Sequence, residues 1–214
     1  MPLAEEDVRS FVLPALDEAG FSRLGRSSVW RREPGDLVHL LQFQVRAARL
    51  RVQWGVLSLD VLDALWPDLP PSAGSDVAYS VMTGWLTSIP GTTSPVDVEM
   101  PAATSEKEAR LAPLSQDLRV AASWLRSFQR RPDVVDYLLA VQDPKDRRGF
   151  LVPSNLPLKL ASCAFLLHAD GATTAPAMAQ RALDAMPTPK STSDPVVAHR
   201  RRTLAVVAAA GGSE

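Results

Sequence analysis

The histidine and cysteine side chains, which could perform acid–base or nucleophilic chemistry, are few and widely separated in this chain. The histidines are His39, His168 and His199, and the only cysteine is Cys163. Histidine supplies acid–base catalysis and metal ligation, and a cysteine thiolate supplies a nucleophile. The histidines lack metal-ligand spacing, and no paired acid or serine motif accompanies them. The sequence therefore predicts no catalytic residue, no metal and no cofactor, and it leaves enzymatic activity open while favouring a non-catalytic protein.

Each of these residues also has a structural interpretation. His39 falls on the apolar face of a predicted strand, opposite Trp30, which predicts a buried histidine with hydrogen-bonding partners. Cys163 lies in an apolar helical segment, where burial raises the pKa of a thiol and makes it a poor nucleophile. His168 ends a predicted helix, where positive charge is mildly stabilised. His199 is expected on a solvated helical turn.

Length, charge and apolar content limit the possible classes of protein. The chain has 214 residues, 46% of them hydrophobic, and a formal net charge of −1, which is typical of a globular protein with a sizeable core. The basic runs Arg147-Arg148 and Arg200–Arg202 lack interleaved aromatic residues, so no nucleic acid is expected as a partner. The acidic run at residues 5–7 does not resemble a signal peptide, and no apolar segment reaches the roughly 20 residues that cross a bilayer. We expect a cytoplasmic protein that does not contact a membrane.

Apolar residues at helical spacing predict a first helix from about Leu3 to Ala19, ended by Gly20. Pro14 is expected to kink or divide this helix. The residues that share its apolar face are Val8, Phe11, Val12, Ala15, Leu16 and Ala19.

From Phe21 to Leu57 the apolar period changes to two and predicts three antiparallel strands, at residues 28–32, 37–45 and 50–57. The turn between the first two strands is Glu33-Pro34-Gly35-Asp36. Pairing Val45 with Leu50 brings apolar partners together on one face. The residues expected to form one buried cluster with Val12 and Leu16 are Trp30, Leu41, Phe43, Val52 and Trp54.

The same register places polar side chains on the reverse face of the hairpin. Gln44 is expected opposite Arg51, holding its guanidinium group in one orientation, and Gln42 opposite Gln53. Because Ala47-Ala48 is a poor two-residue turn, a four-residue loop from Arg46 to Arg49 is expected. Planar amides and guanidinium groups on a rigid sheet can bind a carboxylate, a phosphate or a partner's backbone, although an ordinary solvated sheet face has the same composition. The candidate binding residues are Gln42, Gln44, Arg46, Arg49, Arg51 and Gln53.

The reverse face becomes apolar at its other end, where Val29, Val38 and Leu40 are expected to be covered by C-terminal helices. Further elements are predicted as a helix or turn at Leu59–Leu65, a fourth strand at Val77–Met82 and a brief pairing at Val96–Glu99. A capping box of Ser105 and Glu108 begins a helix that ends near Arg131-Pro132. The remaining predicted helices occupy residues 134–141 (capped by Asp133), 158–169, 176–186 and 195–209.

These elements predict an α+β fold, with an N-terminal helix on a three- or four-stranded antiparallel sheet followed by a mainly helical C-terminal half. The expected division is a sheet region at residues 1–104 and a helical region at 105–214 that packs on it in one compact unit.

A set of residues in the N-terminal part follows a recognisable order of helix, Gly-Phe turn, strand with an aromatic-plus-Arg pattern, and two further strands ending in Gln and Gly. These residues are Gly20-Phe21, Gly25, Trp30, Arg31, Arg32, Asp36, Gln44, Val52 and Gly55. In this order the segment resembles the bacterial domain-of-unknown-function family 4304. The resemblance supports the predicted fold and implies no activity, because none is established for that family.

The function that the sequence favours is a non-catalytic interaction or accessory module, such as an immunity-like or regulatory partner of another protein. The alternative is a small-molecule-binding protein or an enzyme with its site between the sheet and the C-terminal helices. A flat exposed patch would favour the first, and a deep pocket with convergent polar groups the second. The sequence does not determine the oligomeric state.

Overall fold

The computed structural model describes residues 5–24, 28–46, 49–70, 72–99, 106–141, 156–186 and 194–212. It confirms the α+β fold, with an N-terminal helix, an antiparallel sheet and a mainly helical C-terminal half. The strands are β1 Ser22–Arg23, β2 Val29–Arg32, β3 Val38–Arg46, β4 Arg49–Leu57, β5 Met82–Trp85 and β6 Val98–Glu99. The helices are α1 Glu5–Glu18, α2 Leu62–Leu65, α3 Lys107–Leu125, α4 Arg131–Ala140, α5 Leu156–Ala169, α6 Ala175–Ala185 and α7 Pro195–Ala209.

Within the described residues the sheet has six strands, with β1-β2-β3-β4-β5 in order and β6 paired with the other end of β4. The predicted register of the central hairpin is confirmed, since Val45 pairs with Leu50. The ladder continues by one further pair, Arg46 with Arg49. The predicted four-residue loop is therefore wrong, because this extra pairing leaves only residues 47–48, which lie outside the described residues, between the strands.

The fourth strand begins later than predicted. The segment Val77–Tyr79 forms a 3-10 turn, and the strand itself is Met82–Trp85. Asp76 explains the difference, because its side chain accepts a hydrogen bond from the backbone N–H of Ala78 at 2.9 Å and caps the turn. The predicted brief pairing near residue 98 is confirmed as β6.

Helix α1 is continuous through Pro14, which is exposed, so the expected division of this helix does not occur. The helix ends at Glu18, and Gly20, whose φ is +76°, terminates it as predicted. The N–H of Phe21 donates to the carbonyl of Leu16 at 2.9 Å, and that of Gly20 to the carbonyl of Asp17 at 3.0 Å, as in a Schellman cap. The side chains at positions 5–11, which include Val8 and Phe11, lie outside the described residues.

The apolar face of the sheet and the helices enclose one large core. The predicted cluster is confirmed, since every member is at most 6% exposed, and its members are Val12, Leu16, Trp30, Leu41, Phe43, Val52 and Trp54. Helix α3 and the segment after it contribute to the same core with Leu118, Ala121, Ala122, Leu125 and Phe128.

The C-terminal helices follow the predicted pattern with shifted ends. Helix α3 ends at Leu125, earlier than predicted, and Ser105 of the expected capping box lies outside the described residues. Helix α4 begins at Arg131 and not after Asp133, because proline is tolerated in the first turn of a helix. The carboxylate of Asp133 lies inside that turn and accepts the N–H of Arg130 at 2.9 Å.

The apolar end of the reverse sheet face is covered by the chain that follows β4, and not by the C-terminal helices as expected. Leu62 and Val77 pack there against Val38 and Leu40 in a second apolar cluster. This segment lies close to the sheet backbone, since a Cβ at Gly55 would collide with the hydroxyl of Ser80. The chain thus folds back over one half of the face and leaves the other half open.

Candidate functional site

The open half of the reverse sheet face carries half-buried side chains from β3, β4 and β5. We call it the polar shelf, and it comprises Gln42, Gln44, Arg51, Gln53, Thr83 and Trp85. Five of these residues form two cross-strand rows, and Thr83 lies in the next row, opposite Gly55. Gln44 lies opposite Arg51 in one row, and Gln53 lies between Gln42 and Trp85 in the next.

The amides of the polar shelf are joined in a hydrogen-bonded chain. The amide nitrogen of Gln44 donates to the side-chain oxygens of Gln53 at 3.1 Å and Gln42 at 3.4 Å. Gln53 donates to the Thr83 hydroxyl at 3.4 Å, and that hydroxyl donates to the carbonyl of Trp54 at 2.6 Å. Within the described part of the chain, the Gln42 amide N–H groups and the Gln44 side-chain oxygen remain without a hydrogen bond. These hydrogen bonds therefore hold the side-chain amides in place and still leave N–H donors and an oxygen acceptor for a partner.

The orientation of Arg51 has a different cause from the predicted one. Its guanidinium group binds the carboxylate of Asp97 in a two-pronged arrangement, from Nε to Oδ1 and from Nη2 to Oδ2, the latter at 3.0 Å. Gln44 does not hold Arg51, because its amide nitrogen donates to the other glutamines and no hydrogen bond joins its side-chain oxygen to the guanidinium group. The hydrogen bond from Arg51 lowers the pKa of Asp97, and the same bond raises the pKa of Arg51. Arg49 adds a second cation, its Nη1 lying 3.8 Å from Oδ2 of Asp97.

Sequence reasoning missed Asp97 and Trp85 as members of this region. The ring of Trp85 lies 5.7 Å from the guanidinium carbon of Arg51, within reach of a cation–π contact. Asp97 immediately precedes β6, and the predicted pairing at Val96–Glu99 was a signal that could have placed it beside β4. Arg46 is the last residue of β3, and its side chain lies outside what the structure describes.

His39 is fully buried, as predicted, but its cross-strand partner is Arg32 and not Trp30. The cause is a connection after β2 that is longer than the predicted turn, running over residues 33–38 between the paired residues. His39 Nδ1 accepts from Arg32 Nη2 at 2.9 Å, and Nε2 donates to the carbonyl of Phe128 at 2.6 Å. Burial lowers the pKa of His39 to about 4. The structural interpretation of His39 is confirmed.

The N-terminal half of helix α7 binds the free carbonyls at the end of helix α2. Arg200 Nε donates to the carbonyl of Leu65 at 2.6 Å, and the Thr203 hydroxyl donates to that of Ala64 at 3.1 Å. His199 Nε2 lies 2.5 Å from the carbonyl of Asp63, so this histidine is not merely on a solvated turn as expected. Arg200 is buried, and its guanidinium carbon lies 4.3 Å from the ring centroid of Trp66. One arginine of the basic run therefore serves the fold.

The remaining residues singled out from the sequence do not join the polar shelf. His168 is exposed in the last turn of α5. Cys163 is fully buried, and burial raises the pKa of its thiol to about 12. Arg147-Arg148 lie outside the described residues.

Two further charged groups have structural roles. Arg131, at the start of α4, forms ion pairs with Asp36, Asp60 and Asp170, and so links three separate parts of the chain. Asp117 on α3 is only 1% exposed, and its carboxylate accepts the backbone N–H groups of residues 93 and 94, at 3.0 and 2.6 Å. The charged side chains near the interior are thus engaged by the protein itself.

Across the ranges that the structure describes, no group of three His, Cys, Asp or Glu side chains could hold a metal ion. In the same part of the chain, no helix combines the length and the apolar character needed to cross a membrane. Comparison with protein-family models, with curated proteins and with solved structures finds no match to this chain. The resemblance to the domain-of-unknown-function family 4304 stays a prediction.

Proposed function

We propose that this protein is a non-catalytic, cytoplasmic interaction module that binds another protein through the polar shelf. The observation that carries the proposal is the hydrogen-bonded chain of glutamines, which holds planar polar groups on a rigid sheet beside a half-buried tryptophan. Groups that are already ordered lose little conformational entropy on binding. Aromatic and arginine side chains are also the residue types enriched at the centres of protein interfaces.

A protein partner fits the polar shelf better than a small ligand does. A small ligand usually needs a concave site that buries most of its surface, whereas a protein can cover a broad sheet face. At the apolar end of the same face, a segment of the protein itself packs against the sheet. Polypeptide can therefore cover this side of the sheet. An immunity-like or regulatory role is the kind of function that such a module would serve.

The alternative is a small-molecule-binding protein or enzyme with a site between the sheet and the C-terminal helices. Two buried polar residues of the described interior give it less support, because backbone groups already bind their side chains. His39 is engaged by the carbonyl of Phe128, and Asp117 by backbone N–H groups. Polar groups that serve a ligand would have hydrogen-bonding capacity left for it.

The proposal can be tested by capture from an extract of the source cells. The bait is the tagged wild-type protein, compared with the double variant Gln44→Ala, Arg51→Ala. A matched control, Gln180→Ala with Arg202→Ala, makes the same changes at exposed positions of α6 and α7. We expect a stoichiometric partner with the wild type and the control, and its loss with the shelf variant while circular dichroism stays unchanged.

Two results would count against the proposal. Equal capture by all three baits would mean that the polar shelf is an ordinary solvated sheet face. The C-terminal helices would then be the next candidate for the binding surface. A small molecule that co-purifies with all three baits, without a protein partner, would favour the alternative function.

A further inference from the structure

Positive charge is concentrated where β3 and β4 meet their connection. Residues 46–51 contain three arginines, Arg46, Arg49 and Arg51, in a chain whose net charge is −1. Arg46 and Arg49 are direct register partners. Like charges directly opposite each other in an antiparallel pair are destabilising. A sequence tends to keep such a local conflict where function requires it.

A carboxylate of the protein itself already lies against these arginines. Asp97 receives both prongs of the Arg51 guanidinium group, the geometry by which arginine recognises carboxylates in general. The side chains of Arg49 and Arg51 nevertheless remain 57% and 40% exposed, compared with 26% for Asp97. The arginines therefore stay accessible to a second molecule.

Asp97 itself lies between two points at which its segment is attached, the backbone of residues 93–94 and the buried Val98. Strand β6 is two residues long, and its residues pair with Arg49 and Leu50 of β4. Val98 is buried and anchors the segment in the core, whereas Val96 on the other side is exposed. An ion pair that is partly exposed to solvent contributes only modestly to stability. The Asp97 side chain can therefore turn away from Arg51 while Val98 keeps the backbone in place.

We propose that the partner presents an acidic side chain that replaces the Asp97 carboxylate on Arg51. This inference rests on the proposed function, because it identifies what the partner places at one end of the polar shelf. Charge favours a carboxylate over a phosphate. Asp97 and Glu99, the register partner of Arg49, add two negative charges to the three positive charges of the arginines, which leaves one net positive charge. One carboxylate neutralises that charge, whereas a phosphate dianion would leave the site with a net negative charge.

The decisive variant removes the competing carboxylate. Asp97→Asn should bind a terminally blocked oligoglutamate peptide about threefold more tightly than the wild type, because an exposed ion pair no longer has to be broken. Arg51→Gln should bind it more weakly than the wild type, and the affinity should fall as salt is added. The matched control is Asp184→Asn on α6, which makes the same change in net charge at an exposed position far along the chain.

Other arms separate the possible ligands. Oligoglutamine of the same length, inorganic phosphate and a single-stranded oligonucleotide should all bind more weakly than oligoglutamate. Equal oligoglutamate affinity in Asp97→Asn, Asp184→Asn and the wild type would overturn the inference, and so would preferential binding of phosphate or the oligonucleotide. If Asp97→Asn loses its native melting curve, Asp97→Ser removes the same charge. If both variants unfold, the comparison of Arg51→Gln with Arg202→Gln decides.

The failure of this inference can be told from failure of the proposed function. Gln53→Ala changes the amides of the polar shelf and leaves the arginines intact, so it should weaken capture of the protein partner without affecting oligoglutamate. If Gln53→Ala loses partner capture but Asp97→Asn binds oligoglutamate no more tightly than the wild type, only the proposed acidic contact is overturned. The opposite result would overturn the proposed function. In that case Asp97→Asn binds oligoglutamate more tightly, but neither Gln53→Ala nor the Gln44→Ala, Arg51→Ala double variant captures less of the protein partner.

Discussion

Arg32 and His39 face each other across strands β2 and β3 and share one hydrogen bond, 2.9 Å from Arg32 Nη2 to His39 Nδ1. A guanidinium group can only donate, so Nδ1 is the unprotonated nitrogen and Nε2 carries the proton that is donated to Phe128. Arg32 also donates to the carbonyls of Ala19, at 3.0 Å, and Ala122, at 3.3 Å. The pair thus ties the sheet to the end of α1 and to α3, and it requires a neutral histidine.

This arrangement predicts a loss of stability in mild acid. Burial lowers the pKa of His39 from 6.5 to about 4, with the nearby Arg32 charge acting in the same direction. Below pH 6.5 the unfolded chain therefore binds a proton that the folded protein does not. The free energy of unfolding should be highest above pH 6.5 and should fall by about 3 kcal/mol through His39 as the pH approaches 4.

Urea unfolding at both ends of this pH range measures the effect. Carboxylates also contribute to acid unfolding, and the variant His39→Gln corrects for them because it keeps those groups and removes only the titration at position 39. The wild type should lose about 3 kcal/mol more than the variant over the same interval. An equal loss in the two proteins would show that His39 does not titrate as its burial requires.

Trp54 should be the most costly aromatic residue to truncate on the apolar face of the sheet. It is fully buried, its indole N–H donates to the carbonyl of Trp85 at 3.1 Å, and its ring meets that of Trp124 edge-on at 5.0 Å. Trp54→Ala should lower the free energy of unfolding by about 3–5 kcal/mol, as large truncations in cores do. Trp85→Ala, a change of the same size at a half-buried position of the polar shelf, should cost less. Similar melting temperatures for the two variants would contradict this assignment of faces.

The face of each strand could be predicted from the sequence, whereas some pairings could not. Slipping the central hairpin by one residue would put Phe43 and Trp54 on opposite faces of the sheet and expose one of them, so alternation excludes that slip. At β2 and β3, a shift of two residues keeps Trp30 and Arg32 on the same face. Alternation cannot detect such a shift, and the length of the connection decides it. For this reason the burial of His39 was predicted correctly while its partner was not.

The candidate site shows the same limit. The glutamines and Arg51 follow from the hairpin register, but Asp97 reaches Arg51 from 46 positions along the chain. A contact of that kind has no periodic signature in the sequence. The apolar residues at the other end of the face likewise predict that something covers them, and they do not identify Leu62 and Val77 as the cover.

Cys163 should be inert in the folded protein. Burial raises the pKa of its thiol to about 12, and the side chain is fully enclosed on α5. The reactive species is the thiolate, so a thiol-specific reagent at neutral pH should label Cys163 only when the chain opens. The labelling rate should rise with urea in parallel with unfolding. Rapid stoichiometric labelling in buffer alone would contradict the buried position.

The arginines of α7 offer a prediction in which sequence neighbours behave differently. Arg200 is buried, donates to the carbonyl of Leu65 at 2.6 Å and packs against the ring of Trp66, whereas Arg202 is exposed.

Removing the Arg200 side chain deprives the end of α2 of a charged donor, and such bonds contribute about 1.5–3 kcal/mol. Because desolvating the guanidinium group offsets part of that gain, Arg200→Ala should cost about 2 kcal/mol. Arg202→Ala should change the free energy of unfolding by less than about 0.5 kcal/mol. Chemical denaturation of both variants, at the same pH and salt, compares them directly. If the two variants were equally stable, Arg200 would not act as the cap of α2, and the basic run would again be a candidate for an external ligand.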